Sequence, residues 1–542
     1  MSSNSGQADF EVIILPNNSL EKSLAGVSLS SSDTFDISNP EHECAPLTSR
    51  SHEFAFIFIT CFSQFLSLCA LNQTVAPVIG LAQYFHVDNY GELSWFSAAF
   101  SMTVGTFILP AGRLGDLYGH KRIYLIGWVW FAIWSLISGF SHFGGHVLFS
   151  ICRAFQGIGP ALLVPNAVAL IGRNLPLGQK RMIGFSCFGA CGPLGAATGA
   201  MFTAVIADYL WWPWNFWILA IVCIIAMLLA YLILPEDCLR LGVNESNGPD
   251  FDYWGTVTGV TGLLFVNFAL NQAPLVLWTD PYIGTLLGIG ISFLVLFVIV
   301  ELFATEYPLI PIRGLSLDAV FALTCIVVGW SSHGIWAYDL YLFLEYIRGQ
   351  SAVLTAVQTS PVAVTGVIFA FSTVWLLQRF GVPYVMFLSM TFFMLGSLLL
   401  ATIPIGQVYW AQTFVSVLIM PGAMNLSYPA ANILLSSSLP KEKQGIAASL
   451  VSTMVNYSIS VGLGFAGTID RYTIEHAAQK TGWTRQQGNP APLSDSTPKV
   501  LKIRLVGLRA SWWFAVALAA LGMFVAATFI LVTERRKRKQ SE

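Results

Sequence analysis

The stretch Gly112-Arg113-Leu114-Gly115-Asp116-Leu117-Tyr118-Gly119-His120-Lys121-Arg122 joins two apolar blocks, 93–112 and 122–142. Its three glycines permit a tight turn and the close approach of two helices. Asp116 is placed to meet the positive end of a helix dipole or an arginine, and so to latch one face of the molecule. Each flanking block is about 20 residues long, enough at ~1.5 Å per residue to cross a hydrocarbon layer of ~30 Å. The link therefore reads as a hairpin at a membrane surface, and the rest of the chain can be read outward from it.

Hydrophobic residues make up 55% of the 542, charged residues only 10%, and the mean hydropathy is +0.66. A water-soluble core cannot hide that much apolar surface, so the solvent is lipid. Further blocks fall at 54–80, 146–172, 182–207, 214–234, 253–273, 281–303, 318–343, 352–377, 383–404, 409–435, 446–469 and 510–533, about fourteen spans in all. Arg113, Lys121, Arg122, Arg173, Lys180, Arg181, Arg240, Arg313, Arg379, Lys441 and Lys443 all lie on even-numbered links, whereas the short odd links hold Arg348. By the positive-inside rule the even links and both termini are cytoplasmic. The basic run Arg535-Arg536-Lys537-Arg538-Lys539 suits a helix end at an anionic inner leaflet. Residues 1–52 are polar and are expected to be a disordered cytoplasmic tail without a cleavable leader. A formal net charge of −2 gives no case for nucleic acid. Most of the nine cysteines sit inside apolar blocks and read as small packing residues. No phosphate-cradling loop or metal-ligand cluster is visible, so neither an enzyme, a cofactor nor a resident metal is expected.

Val164 to Pro176, VPNAVALIGRNLP, and Tyr428 to Pro440, YPAANILLSSSLP, carry two prolines at the same spacing, and a basic residue and a glycine follow each. A weaker echo relates Arg113 to Gly119 with Gln378-Arg379-Phe380-Gly381. One building block used twice implies parallel halves with a site near the midplane between them. Span four holds Arg153-Ala154-Phe155-Gln156-Gly157-Ile158-Gly159, and span five holds Gly184, Gly189, Gly192-Pro193-Leu194-Gly195 and Gly199. Small residues at helical spacing allow close packing, and proline frees a carbonyl.

The string from Gly112 to Arg122 resembles the loop signature of the major facilitator superfamily, with Gly112, Arg113, Asp116, Gly119, Lys121 and Arg122 as its gating residues. Over Phe54 to Val532, with DYWGTVTGVTGLLFVNFALNQAP from Asp252 and LPKEKQGIAASLVSTMVNYSISVGLG from Leu439, the chain resembles the fungal fourteen-span drug:proton antiporter branch, and within it the aminotriazole and boron resistance exporters. The resemblance implies an all-α integral membrane fold of two six-helix bundles, 53–234 and 304–533, with two additional helices at 253–303, a linker at 235–252, an external loop at 470–509 and a basic tail at 534–542. It links the buried Arg153 to proton movement, with helix packing as the alternative, and Gly192, Pro193 and Gly195 to antiport. One departure stands out: where the branch often carries an acid in span one, this chain reads Asn72-Gln73-Thr74. If spans seven and eight are the additional pair, span nine lines the cavity, and its His333 and Asp339 become candidate proton carriers, six positions apart and so on different faces. Asn72, Gln73, Asn425, Tyr428, Asn432 and Asn456 are candidates for binding a polar solute, or for hydrogen bonds between helices. Asn267 and Asn271, on one face of span seven, read as structural.

Together these readings lead to the expectation of a monomeric, proton-coupled exporter of small toxic solutes or drugs, borate- or aminotriazole-like, working by alternating access in a lipid bilayer, the plasma membrane before the vacuolar one. A facilitator or importer of a small species such as ammonium, polyol or borate is the rival, which Asn72 strengthens. A transport-like receptor is the third class.

Overall fold

The computed structural model describes residues 49–176, 179–236, 251–276, 278–305, 308–310, 312–438, 444–480, 493 and 497–541, all within one compact unit, Cys44–Glu542. The described residues contain no strand. Fourteen of their helices are long and apolar enough to cross a membrane: α1 (Arg50–Asn72), α2 (Gly91–Tyr118), α3 (His120–Phe143), α4 (Gly145–Asn174), α5 (Ile183–Tyr209), α6 (Trp214–Ile233), α7 (Tyr253–Val276), α8 (Pro281–Ala304), α9 (Leu317–Ile347), α10 (Ala352–Phe380), α11 (Val382–Ala401), α12 (Gln412–Ser436), α13 (Ile446–Lys480) and α14 (Pro498–Lys539). This is an all-helical, multi-pass membrane protein.

Local chemistry sets the helix ends. Ser49 accepts a hydrogen bond from His52 N at the start of α1, with Glu53 in the first turn, where a negative charge suits the dipole. Gly119 at φ +97° closes α2 and opens α3, and Gly381 at φ +80° does the same between α10 and α11. An L side chain is strained in that region, so the two hairpins use glycine at equivalent points.

Packing repeats as well. α1 lies on α5 as α9 lies on α13; α2 lies on α4 as α10 lies on α12; α3 touches α4 and α6 as α11 touches α12 and α14. One apolar core is built wholly from residues of α1 to α6 and the segment that follows, from Phe56 to Leu234. The two bundles meet where α2 lies along α13 and α5 along α10. The additional pair, α7 and α8, pack on each other, and α7 also rests on α2 and α13. Its asparagines serve that contact: Asn271 Nδ2 donates to Asn267 Oδ1 at 2.7 Å and to Ser460 Oγ at 3.2 Å, and Ser460 Oγ donates to Ala98 O at 3.1 Å.

The chain's two described ends share one end of the molecule with the basic links. His52 Nε2 meets Ile233 O at 2.7 Å, Lys180 pairs with Glu53 at 2.7 Å, and Arg536 pairs with Asp318 at 2.8 Å. We call this the basic end. Arg240, Lys441 and Lys443 lie outside the described residues.

Three boundaries differ from the sequence expectation. The first span stops at Asn72, and a separate short helix follows at Val78–Phe85, closed by His86 at φ +53°. α13 continues to Lys480, and α14 starts at Pro498, so the flanks of the expected 470–509 loop form a helical hairpin beyond the apolar blocks. Ile474, Ala478, Val500 and Ile503 give that hairpin its own small core, and Asp470 meets Arg504 inside it at 3.2 Å with both side chains 2% exposed. At the other end, α14 carries the basic run of 534–539 as helix.

Candidate functional site

The link from Gly112 to Arg122 works as a clamp on its own bundle. Asp116 Oδ1 accepts from Arg173 Nη2 at 2.9 Å and lies 3.4 Å from His120 Nε2. Lys121, buried in α3, donates to Leu234 O at 2.7 Å and Glu236 Oε1 at 3.0 Å. Gly112 looks across the seam: a side chain there would run into Ser449 of α13. Arg113 is part-buried and Arg122 exposed. Thus α2, α3, α4 and the end of α6 are tied together by one short sequence.

Arg153 is fully buried in α4. Its Nε donates to Phe96 O at 3.1 Å, Nη1 to Gln156 Oε1 at 2.6 Å and Nη2 to Ala70 O at 2.9 Å, and its guanidinium lies 4.4 Å from the centre of the Phe100 ring. One cation thereby fastens α4 to α1 and α2 just where α1 is about to break. Charged donors hold such acceptors more strongly than neutral ones. The break itself absorbs the polar triplet: Asn72 Nδ2 donates to Leu68 O, Gln73 Nε2 to Asn215 O at 2.8 Å, and Thr74 Oγ1 to Phe96 O.

In α5 the small residues face two ways. A side chain at Gly195 would collide with the Phe65 carbonyl of α1, Gly192 has only Gln64 Nε2 near it at 3.8 Å, and Pro193 packs directly on Gly366 of α10. Gly366 in turn lies near Asn425 of α12, 3.8 Å from Nδ2 to the position a side chain would take. Residues of α1, α5, α10 and α12 thus converge at mid-length, where the two bundles touch.

From that point a polar stripe follows α12. Asn425, Tyr428 and Asn432 share one face at spacings of three and four, the helical repeat. Their backbone-directed bonds are local, Asn425 Nδ2 to Pro421 O and Asn432 Nδ2 to Tyr428 O, both 2.9 Å. Tyr428 OH meets Ser452 Oγ of α13 at 2.8 Å, and Asn456 Nδ2 donates to Ser452 O one turn further on. The structure therefore brings four of the six candidate polar residues to one strip of α12 and α13, and puts Asn72 and Gln73 apart from it at the end of α1.

His333 is part-buried, stacked on Trp336 and edge-on to Trp330, with Nδ1 lacking a hydrogen-bond partner among the described residues. Trp330 Nε1 reaches Ser427 Oγ of α12 at 3.2 Å, and Trp336 Nε1 reaches Ser416 Oγ at 2.7 Å, so the aromatic pair moors α9 to α12. Asp339 is fully buried on α9 beside Tyr338. It lies eight residues inside the end of α9, roughly 12 Å along the axis.

Sequence reasoning missed Glu345. This acid sits near the end of α9, 7% exposed, and its Oε2 accepts from Ile79 N of the short helix at 3.3 Å. It is the single acid of the run YLFLEYI, Tyr341 to Ile347, a signal that was available because ionisable residues in apolar spans are costly and therefore informative. The aromatic mooring by Trp330 and Trp336 had no such signal. A depression of about 620 Å³ is lined by Arg348, Gln350, Gln358, Gln407, Tyr409 and Trp410, at the end opposite the basic one.

The sequence profile of the Major Facilitator Superfamily matches residues 55–463. The chain is 43% identical over 490 residues to a low affinity ammonium transporter of Saccharomyces cerevisiae, covering 90% of each. It is 38% identical over 508 residues to the efflux pump terJ of Aspergillus terreus, covering 93% of this chain and 92% of that one. To an aminotriazole resistance protein of Saccharomyces cerevisiae it is 34% identical over 425 residues, 77% of each. Among solved structures, a POT family transporter in complex with 5-aminolevulinic acid superposes with a TM-score of 0.59 at 14% identity, over 88% of this chain and 96% of that one, a likeness of fold.

Proposed function

We propose that this chain, which belongs to the major facilitator superfamily, is a proton-coupled exporter of a small polar solute. It is a transporter by family; the direction, the coupling and the solute are our reading. The observation that carries the reading is α9: His333, Asp339 and Glu345 are spaced along one helix that packs on α12 and α13 and reaches the seam. A helix loaded in this way can link protonation to the rocking of the bundles. The polar strip of Asn425, Tyr428, Asn432 and Asn456 supplies neutral donors and acceptors for a solute. Gly192, Pro193 and Gly195, wedged between α1 and α10, keep the seam tight enough to exclude leak. Arg153 we assign to positioning α1, and the clamp of Gly112, Arg113, Asp116, Gly119, Lys121 and Arg122 to holding the first bundle rigid as it moves. We place the basic end in the cytoplasm and the hairpin end outside, with the chain monomeric in the plasma membrane and bundles at 53–234 and 304–533.

A second reading, a facilitator of ammonium or a comparably small solute, has an observation of its own. α1 carries no acid beyond Glu53 in its first turn, and Asn72, Gln73 and Thr74 each donate to a backbone carbonyl. Flux of labelled methylammonium, boric acid and a cationic dye in proteoliposomes, with and without an imposed pH gradient, separates the two. Gradient-driven efflux that vanishes on collapsing the gradient is expected. Downhill flux indifferent to the gradient would replace the exporter with the facilitator.

A further inference from the structure

Two helices near the outer end begin against the opposite bundle. The short helix Val78–Phe85 belongs to the first bundle, and its second residue, Ile79, donates its N–H to Glu345 Oε2 of the second bundle at 3.3 Å. The helix that opens α10 starts at Ala352, and its second residue, Val353, donates its N–H to Asp208 Oδ2 of the first bundle at 3.4 Å. N–H groups in a helix's first turn have no partner within the helix, and the dipole there favours a negative charge. Each bundle thus offers a carboxylate to the open end of a helix in the other. Glu345 is 7% exposed and its second oxygen, Oε1, has no hydrogen-bond partner among the described residues. Asp208 is exposed at the rim.

We propose that Glu345 and Asp208 form a reciprocal, proton-sensitive latch on the outer side of the seam, with Glu345 as its proton-binding member. The proposal deepens the transport reading and rests on its orientation and alternating access. The carboxylate's charge is what makes such a cap strong. A proton from external water, added to Glu345 when the seam stands open, removes that charge and the repulsion between Glu345 and Asp208. The other groups around Glu345 leave the part to it. Tyr338 and Tyr341 share its helix, and Tyr341 OH is bonded to Thr359 Oγ1 at 2.7 Å. From α14, whose Trp512 packs on Phe343, Arg504 is turned to Asp470 and Arg509 to the carbonyl of Ile403. The short helix and the segment Ala352–Thr359 carry no charged residue. On its far side Arg348 lies over the Phe343 ring. Gly349 at φ +64° then turns the chain into α10, giving the latch a defined hinge.

The test is hydrogen exchange of the full chain in nanodiscs at pH 5 and pH 7.5, corrected for intrinsic exchange rates and read on peptides covering Val78–Phe85 and Ala352–Thr359. In the native chain, protection of the first peptide is expected to change with pH. In Glu345→Gln it should be the same at both values, with exchange about tenfold faster than native at pH 7.5. Asp208→Asn, at an exposed position that tolerates substitution, should loosen the second peptide and leave the first still pH-dependent. Native protection that ignores pH, or a Glu345→Gln chain that keeps the native pH dependence, overturns the latch. Solute flux in proteoliposomes of the same variants keeps the two claims apart. A pH-sensitive seam with gradient-independent flux sustains the latch and ends proton exchange; gradient-driven flux with a pH-insensitive seam does the reverse.

Discussion

Arg153 is held by three oxygens from three places: the Phe96 carbonyl, the Ala70 carbonyl and the Gln156 amide. A single ammonium cannot reach all of them, so lysine is no substitute. Arg153→Gln and Arg153→Lys should each lower stability by on the order of 3 kcal/mol, from lost charge-assisted bonds and carbonyls left bare. Thermal melting in detergent measures it. A variant that melts like the native chain yet transports nothing would move Arg153 from strut to proton path. The arginine itself was legible in the sequence, since a charge within the apolar run of span four must have a purpose. Its partners were not, because two of them are backbone carbonyls, which no residue pattern reports. Glu345 shows the opposite failure. It falls between the end of the apolar block at 343 and Arg348, which marks a link, so the pattern assigns it to neither.

At the scale of elements, most helices follow from runs of apolar residues, and the segments that departed from expectation are those where polar and apolar chemistry mix. In Asp470 to Lys480 the sequence shows Asp470, Arg471, Glu475, His476 and Lys480, which reads as loop. The structure keeps it helical because Ile474 and Ala478 pack on Val500 and Ile503, and because Asp470 and Arg504 neutralise each other out of water. Removing one member of a buried pair leaves a charge uncompensated, which costs about 3–5 kcal/mol. Asp470→Asn should therefore let protease added on the hairpin's side of the bilayer cut between 470 and 510 while the rest of the chain stays intact. A hairpin as resistant as the native one would mean the apolar contacts suffice alone. The polar strip on α12 was legible residue by residue. Its coherence was not, since it depends on Asn425, Tyr428 and Asn432 sharing a face that two internal prolines, Pro421 and Pro429, leave helical.

For the whole molecule, the two bundles touch through small residues, and the seam fails if they grow. Pro193 rests on Gly366 with no room for a side chain between them. Gly366→Leu should insert and fold, since α10 is otherwise largely unburied, but flux should fall at least about tenfold as α5 and α10 are forced apart. Native flux in that variant would place the moving contact elsewhere. The pairing of two halves was legible from one repeated motif, while the seam between them was not, because glycine contacts leave no hydrophobic period to read. There remains the reach of α13 and α14, which run 35 and 42 residues. At ~1.5 Å per residue they outrun a ~30 Å hydrocarbon layer, carrying the neighbouring helix ends at Lys480 and Pro498 to roughly 35 Å from the bilayer midplane. Because both helices belong to the second bundle, their paired ends form a lever: a tilt of about 15° sweeps them some 9 Å through the water beyond that face. A binder raised against the hairpin would then act as a mechanical gauge of the cycle, braking the motion if it clamps those ends to a neighbour and merely riding with them if it does not.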